Sequence, residues 1–138
     1  MSFETFTAEV VIKSSIEKVW EYFTNTTHIG EWANASPDWE TVAIKNDLVT
    51  GGEFLSRMQA KDGSQGFDFG GVYDEVVPLE IISYTMGDER KASTTFSVEG
   101  DSVRVAQEID AETENPIDMQ KSGWQAMLDN LKNVVESN

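Results

Sequence analysis

NPIDMQKSGWQAMLDNLKNVVE, running from Asn115 to Glu136, decides how the rest of the chain has to be arranged. Asn115 is placed to act as an N-cap, because its side-chain oxygen can accept from an unpaired amide of the first turn. Pro116 suits the first helical position, and Asp118 suits the positive end of the helix dipole. Ile117, Trp124, Met127, Leu128, Leu131, Val134 and Val135 then recur with helical spacing and form one apolar stripe. Lys121, Asp129, Lys132 and Asn133 fall on the opposite, wet face. This pattern predicts one long amphipathic helix held against whatever the preceding residues build. Gly123 interrupts it at a cost of about 1 kcal/mol relative to alanine. Three readings stand: a tolerated glycine, close packing against a strand, or space left for a ligand beside the Trp124 indole.

Outward from that helix, the chain is made of shorter elements. Phe6, Ala8, Val10 and Ile12 alternate with polar residues and predict a strand with one wet face. Ser14 followed by Glu17 reads as a capping box for a helix that buries Ile16, Val19, Trp20 and Phe23. Asn25, Thr26 and Thr27 break it and start a second helical turn through Ile29. From Trp39 to Glu112 the pattern is one of short alternating runs separated by Gly51-Gly52, Asp62-Gly63-Ser64, Pro78, Gly87-Asp88-Glu89 and Glu99-Gly100-Asp101. Strands joined by such short turns are antiparallel neighbours, because parallel pairs need long crossovers. Gly70-Gly71 inside one run marks a bulge or a sharp bend.

The fold class is therefore α+β: a curved antiparallel sheet of six to seven strands around a long C-terminal helix, with two short helices after the first strand. The inward set is Phe54, Met58, Phe67, Phe69, Tyr73, Tyr84, Met86, Phe96, Val98, Val105 and Ile109. Aromatic side chains of this size on a curved sheet leave gaps over a single helix, so a cavity is expected.

The bulk numbers bound the function. A chain of 138 residues with 39% hydrophobic content is expected to form one domain, residues 1–138, with a real core. It has no cysteine, which excludes disulfides, thiolate catalysis and cysteine-ligated zinc. A net charge of −15 repels phosphate backbones, so nucleic acid is not an expected partner. No N-terminal run reads as a signal peptide and no stretch approaches the ~18 apolar residues of a membrane span. A cytoplasmic protein is expected.

Several separate motifs carry a family resemblance. They are Trp32-Ala33-Asn34-Ala35-Ser36-Pro37-Asp38-Trp39, Gly51-Gly52-Glu53-Phe54, Arg57-Met58, Ala60-Lys61-Asp62-Gly63-Ser64 and Gly66-Phe67-Asp68-Phe69-Gly70-Gly71-Val72-Tyr73. Ser15-Ile16-Glu17-Lys18-Val19-Trp20 and Gly123-Trp124-Gln125-Ala126-Met127-Leu128-Asp129-Asn130-Leu131 join them at the two ends. Together they resemble the bacterial proteins related to the C-terminal domain of the activator of heat-shock protein 90 ATPase, in the START-like (SRPBCC) superfamily. The resemblance implies a helix-grip fold. It leaves function open, because that superfamily hosts lipid carriers, polyketide cyclases, hormone receptors and chaperone partners. Eukaryotic members that stimulate the chaperone carry a separate N-terminal domain, and this sequence shows none.

No nucleophile, base and oxyanion site assemble in the sequence. His28 is the only histidine and reads as a solvated or capping residue beside Trp32. Glu108, Asp110, Glu112 and Glu114 recur at every second position and read as a solvated acidic ladder on the outer face of the last strand. Arg57 and Asp68 form an outer-face ion pair, and Asp38 reads as a turn residue near the cavity mouth. Gln107 faces inward between Val105 and Ile109 and needs a hydrogen-bond partner there. The expected function is binding of a small hydrophobic molecule, without catalysis and without cofactor or metal. Its expected lining is Trp32, Phe54, Met58, Phe69, Tyr84, Phe96, Gln107, Trp124 and Met127. Two alternatives are kept: a cyclase- or hydrolase-type enzyme using Tyr84 and Gln107, and a chaperone-partner module meeting heat-shock protein 90 through its acidic surface.

Overall fold

A computed structural model describes residues 3–34 and 36–138, with residues 43 and 44 described by their backbone alone; Ala35, within one of the motifs, lies outside it. The elements are β1 (Thr5–Ile12), α1 (Ile16–Thr24), α2 (Thr26–Trp32), β2 (Trp39–Asn46), β3 (Glu53–Ala60), β4 (Gly66–Val77), β5 (Ile81–Met86), β6 (Lys91–Glu99), β7 (Ser102–Asp110) and α3 (Ile117–Ser137). All seven strands join one antiparallel sheet in the order β1-β7-β6-β5-β4-β3-β2. Strands 2 to 7 form the expected meander, and β1 adds beside β7. This is the helix-grip α+β architecture.

The strict alternation of β1 survives in its burial: Phe6, Ala8, Val10 and Ile12 are buried and their neighbours exposed. Those side chains meet the stripe of α3, in which Leu128, Leu131 and Val135 are fully buried. The outer edge of β1 is closed by side chains of α3. Gln125 bonds both backbone groups of Glu9, at 3.2 and 2.9 Å, and Lys132 donates to the Val11 carbonyl at 2.8 Å. Glu136 accepts the Lys13 amide at 2.9 Å. An edge covered in this way offers no template for another strand.

Three local expectations are corrected. The cap of α1 is Ser15, not Ser14: its hydroxyl accepts the Lys18 amide at 3.2 Å, so Glu17 completes no box. Ser14 is taken up one residue earlier, its amide turned back to the Ile12 carbonyl at 3.0 Å. Pro116, not Asn115, is the residue before α3, and no side chain caps that end. Gln120 reaches back instead, donating to the Asn115 carbonyl at 2.8 Å and the Glu112 carbonyl at 3.1 Å, and accepting the Glu112 amide at 2.9 Å. Finally, β3 and β4 pair without interruption through Gly70 and Gly71, and the bulge in β4 falls at Asp74. The glycines answer a crowding problem instead. A Cβ on Gly71 would lie 2.4 Å from the Thr85 carbonyl oxygen and 3.2 Å from the Phe54 ring.

Candidate functional site

The helix α3 packs on β1 and on the two short helices, at one side of the sheet. Helix α2 lies against β2, and the face of β3 to β5 is left without a helix packed closely on it. Between that face, α2 and α3 lies a cavity of about 410 Å³. Its volume falls toward the small end of the roughly 300–1,000 Å³ typical of small-molecule sites.

Its floor is an aromatic cluster. Phe54 comes from β3 and can lie over β4 because its register partner is Gly71. Its ring centroid is 4.8 Å from that of Tyr84 in an edge-to-face contact and 5.1 Å from that of Tyr73. Phe69 joins Tyr84 and Trp124, each at 6.2 Å. Such separations are the favourable range for aromatic pairs. Trp32, from α2, stacks on Phe23 at 5.1 Å and donates its indole N–H to the Tyr22 carbonyl at 2.8 Å. On the α3 side the wall is Gly123, Trp124 and Met127. No atom lies within 4 Å of where a Gly123 Cβ would stand, so close packing against a strand is not the reason for this glycine, and the position opens onto the cavity. The same cavity explains why Trp124 and Met127 are only half-buried while Leu128 and Leu131, on the β1 side, are fully buried.

Polar groups are few. The Tyr73 hydroxyl donates to Asn46 Oδ1, and Asn46 Nδ2 donates to the Thr24 carbonyl at 2.9 Å. Burial pushes the Tyr73 phenol up to about 12. Burial pushes the Tyr84 phenol up further, with neighbouring Tyr73 adding to the effect and Arg90 opposing it. Both phenols are therefore neutral at physiological pH. Gln107 is buried and donates to Thr94 Oγ1 at 3.2 Å, with Thr94 itself buried. Arg90 lines the wall but is committed, donating from Nε to Asp88 Oδ2 at 2.6 Å and from Nη1 to the Asp110 carbonyl at 3.4 Å. Burial works against the Asp88 carboxylate, and the side-chain and backbone N–H groups of Arg90 outweigh it, holding Asp88 below its ordinary value. The rim adds Lys45, Glu112, Asn115, Met119 and Gln120.

Eight of the nine residues expected to line a site are in the wall: Trp32, Phe54, Met58, Phe69, Tyr84, Gln107, Trp124 and Met127. Phe96 is not. Its ring is held under α1, edge-on to Trp20 at 5.2 Å and to Phe23 at 5.3 Å, so it fills the sheet before the cavity begins. Val98, also expected inward, is 63% exposed at the β6–β7 hairpin tip, where α1 no longer covers β6. Phe67 is at the rim, half-exposed and 6.0 Å from Trp39. The acidic ladder is broken as well. Glu108 and Asp110 sit on β7, which ends there, and the chain then turns so that Glu112 lines the cavity mouth.

His28 neither caps nor stands free: it stacks on Tyr22 at 4.0 Å and meets Glu31 at 2.8 Å. Arg57 and Asp68 are paired at 3.3 Å on the outer face. Asp38 holds the β3–β4 turn through the Lys61 amide and does not line this cavity. Sequence reasoning missed Asn46 and Arg90. A strand-end asparagine and a turn arginine carry no pattern of their own, although Asp88 two residues before Arg90 was a hint of a local pair. Among the described residues no group of three or more His, Asp or Glu is placed to hold a metal ion, and no helix is long and apolar enough to cross a membrane. Neutral phenols and amides on apolar walls can bind and orient a molecule.

Comparison with known proteins places this geometry. The model of the family described as Activator of Hsp90 ATPase homolog 1-like protein matches residues 13–136. The solution structure of an AHSA1-like protein from Aeromonas hydrophila is 39% identical, with a TM-score of 0.90 over 97% of this chain and 93% of that one. A protein from Cytophaga hutchinsonii is 47% identical, with a TM-score of 0.82 over 96% of this chain and 92% of that one. A Chromobacterium violaceum protein shares the fold at a TM-score of 0.88 and 22% identity, covering 98% of this chain and 99% of that one. No curated protein matches.

Proposed function

Because the chain belongs to the Activator of Hsp90 ATPase homolog 1-like family, we propose that it is a START-like binding module whose cavity takes a small hydrophobic or aromatic molecule without transforming it. The observation that carries this is the cavity of about 410 Å³ between α3 and the sheet, walled largely by aromatic and methionine side chains. Transfer of apolar surface from water into such a space is favourable by about 25 cal/mol per Å². Met58 and Met127 are unbranched and flexible, so the walls can adapt to the shape of an occupant. Both phenols of the wall are held neutral and Gln107 donates to Thr94, which supports binding over catalysis.

The test is native mass spectrometry of the gently purified protein, joined to a thermal-shift screen of apolar compounds. A discrete bound mass is expected, together with stabilisation that grows with ligand concentration, about 2.7 kcal/mol at a hundred times Kd. A clean apo mass and a flat screen overturn the proposal.

A further inference from the structure

Tyr73 and Tyr84 face each other as register partners across β4 and β5, with ring centroids 6.4 Å apart, and both line the cavity. Their hydroxyls are treated differently. That of Tyr73 is satisfied by Asn46, which is itself anchored to the Thr24 carbonyl. That of Tyr84 has no hydrogen-bond partner among the described residues, and Tyr84 is half-buried beside Phe54, Phe69 and Tyr73 in the cavity wall. A phenol donor that an occupant cuts off from water needs an acceptor. An occupant that displaced cavity water without supplying one would leave the donor unpaired and lose affinity for it.

We infer that the cavity selects a neutral ring compound bearing an oxygen acceptor, with the apolar rings against Phe54, Phe69 and Trp124 and the oxygen on the Tyr84 hydroxyl. This rests on the cavity being a binding site. Aromatic walls at edge-to-face spacing match flat ring systems better than flexible chains. An anion is disfavoured. The two cations of the lining are already paired, Arg90 with Asp88 at 2.6 Å and Lys45 with Glu53 at 3.3 Å; Glu112 stands at the rim, and the chain carries a net charge of −15.

The experiment uses three naphthalene probes of one size, titrated by tryptophan fluorescence: 2-acetonaphthone (a neutral ketone), 2-isopropylnaphthalene (its hydrocarbon counterpart) and 2-naphthoate. Wild type, Tyr84→Phe and Tyr73→Phe are compared, each first shown to be folded by its melting curve. The ketone-to-hydrocarbon affinity ratio is expected to fall about three- to ten-fold in Tyr84→Phe, the equivalent of one neutral hydrogen bond. Hydrocarbon affinity is expected to hold, and Tyr73→Phe to keep the wild-type ratio. A ratio unchanged by Tyr84→Phe overturns this inference while leaving the cavity a binding site. Tightest binding by 2-naphthoate overturns it too, moving recognition to Arg90. Failure of all three probes to bind wild type removes both this inference and the proposed function.

Discussion

Substituting Gly123 separates the two things that α3 does, closing the fold and bounding the cavity. In a helix interior, alanine is favoured over glycine by about 0.8–1.0 kcal/mol. That gain appears in full only if the added methyl has room, and here no atom lies within 4 Å of its position. Gly123→Ala is therefore expected to stabilise the protein by about 0.8–1.0 kcal/mol, raising Tm by about 3–5 °C for a chain of this length. Urea unfolding should show a higher midpoint with an unchanged slope. Gly123→Phe keeps only part of the helical gain, because an aromatic side chain loses rotamer freedom in a helix, and it projects a ring beside Trp124, into the space a ligand would occupy. The fold should hold, while affinity for an aromatic probe should drop by at least about tenfold, the equivalent of roughly 1.4 kcal/mol. A loss of 1 kcal/mol or more in Gly123→Ala would refute the reasoning, since it would place the helix backbone directly against the sheet.

Other substitutions test the remaining assignments. Leu131→Ala, at a fully buried position facing β1, is expected to cost about 2–5 kcal/mol in denaturant unfolding. Ser15→Ala should cost about 1 kcal/mol and Ser14→Ala much less, which checks the cap of α1. Without ligand, Tyr73→Phe should lose about 1–2 kcal/mol by leaving Asn46 Oδ1 unpaired, whereas Tyr84→Phe should lose none. At high pH the sign follows from the raised phenols. The folded Tyr73 value of about 12 lies above the ordinary 10.0, so its contribution is complete below pH 10 and lost as pH rises through about 12. Ultraviolet tyrosinate absorbance and unfolding should therefore rise together in that window, and Tyr73→Phe should flatten the dependence.

Where one periodicity governed a whole element, the sequence was readable. The alternation of Phe6, Ala8, Val10 and Ile12 and the helical stripe through Leu128, Leu131 and Val135 each answer to a single buried face, so their side chains lie where the spacing puts them. Phase also placed Tyr84 and Gln107 toward the interior. Reading failed where two elements competed for one residue. Phe96 has the phase of a wall residue, but Trp20 and Phe23 reach it first. Glu112 keeps the spacing of a ladder after the strand that gives the ladder meaning has ended. The caps of α1 and α3 each moved by one residue because neighbouring polar groups bid for the same amides, and only geometry decides between them. The cavity itself has no signature in the spacing, since it results from α3 docking to one side of the sheet.

The pairing of β1 with β7 sets the order in which this molecule can assemble. Hairpins from β2 to β7 close over short loops and can form as soon as their residues exist, but Phe6 must find Ile109 across almost the whole chain. Such long closures are entropically costly and slow folding. Because α3 rests on β1, the wall of the cavity that carries Trp124 cannot be set until that last closure is made. During synthesis the aromatic floor would exist before its cover, exposing Phe54, Phe69 and Tyr84 for the interval between them. A ligand able to enter in that interval would act as a template for closure, so refolding in its presence should be faster as well as more complete.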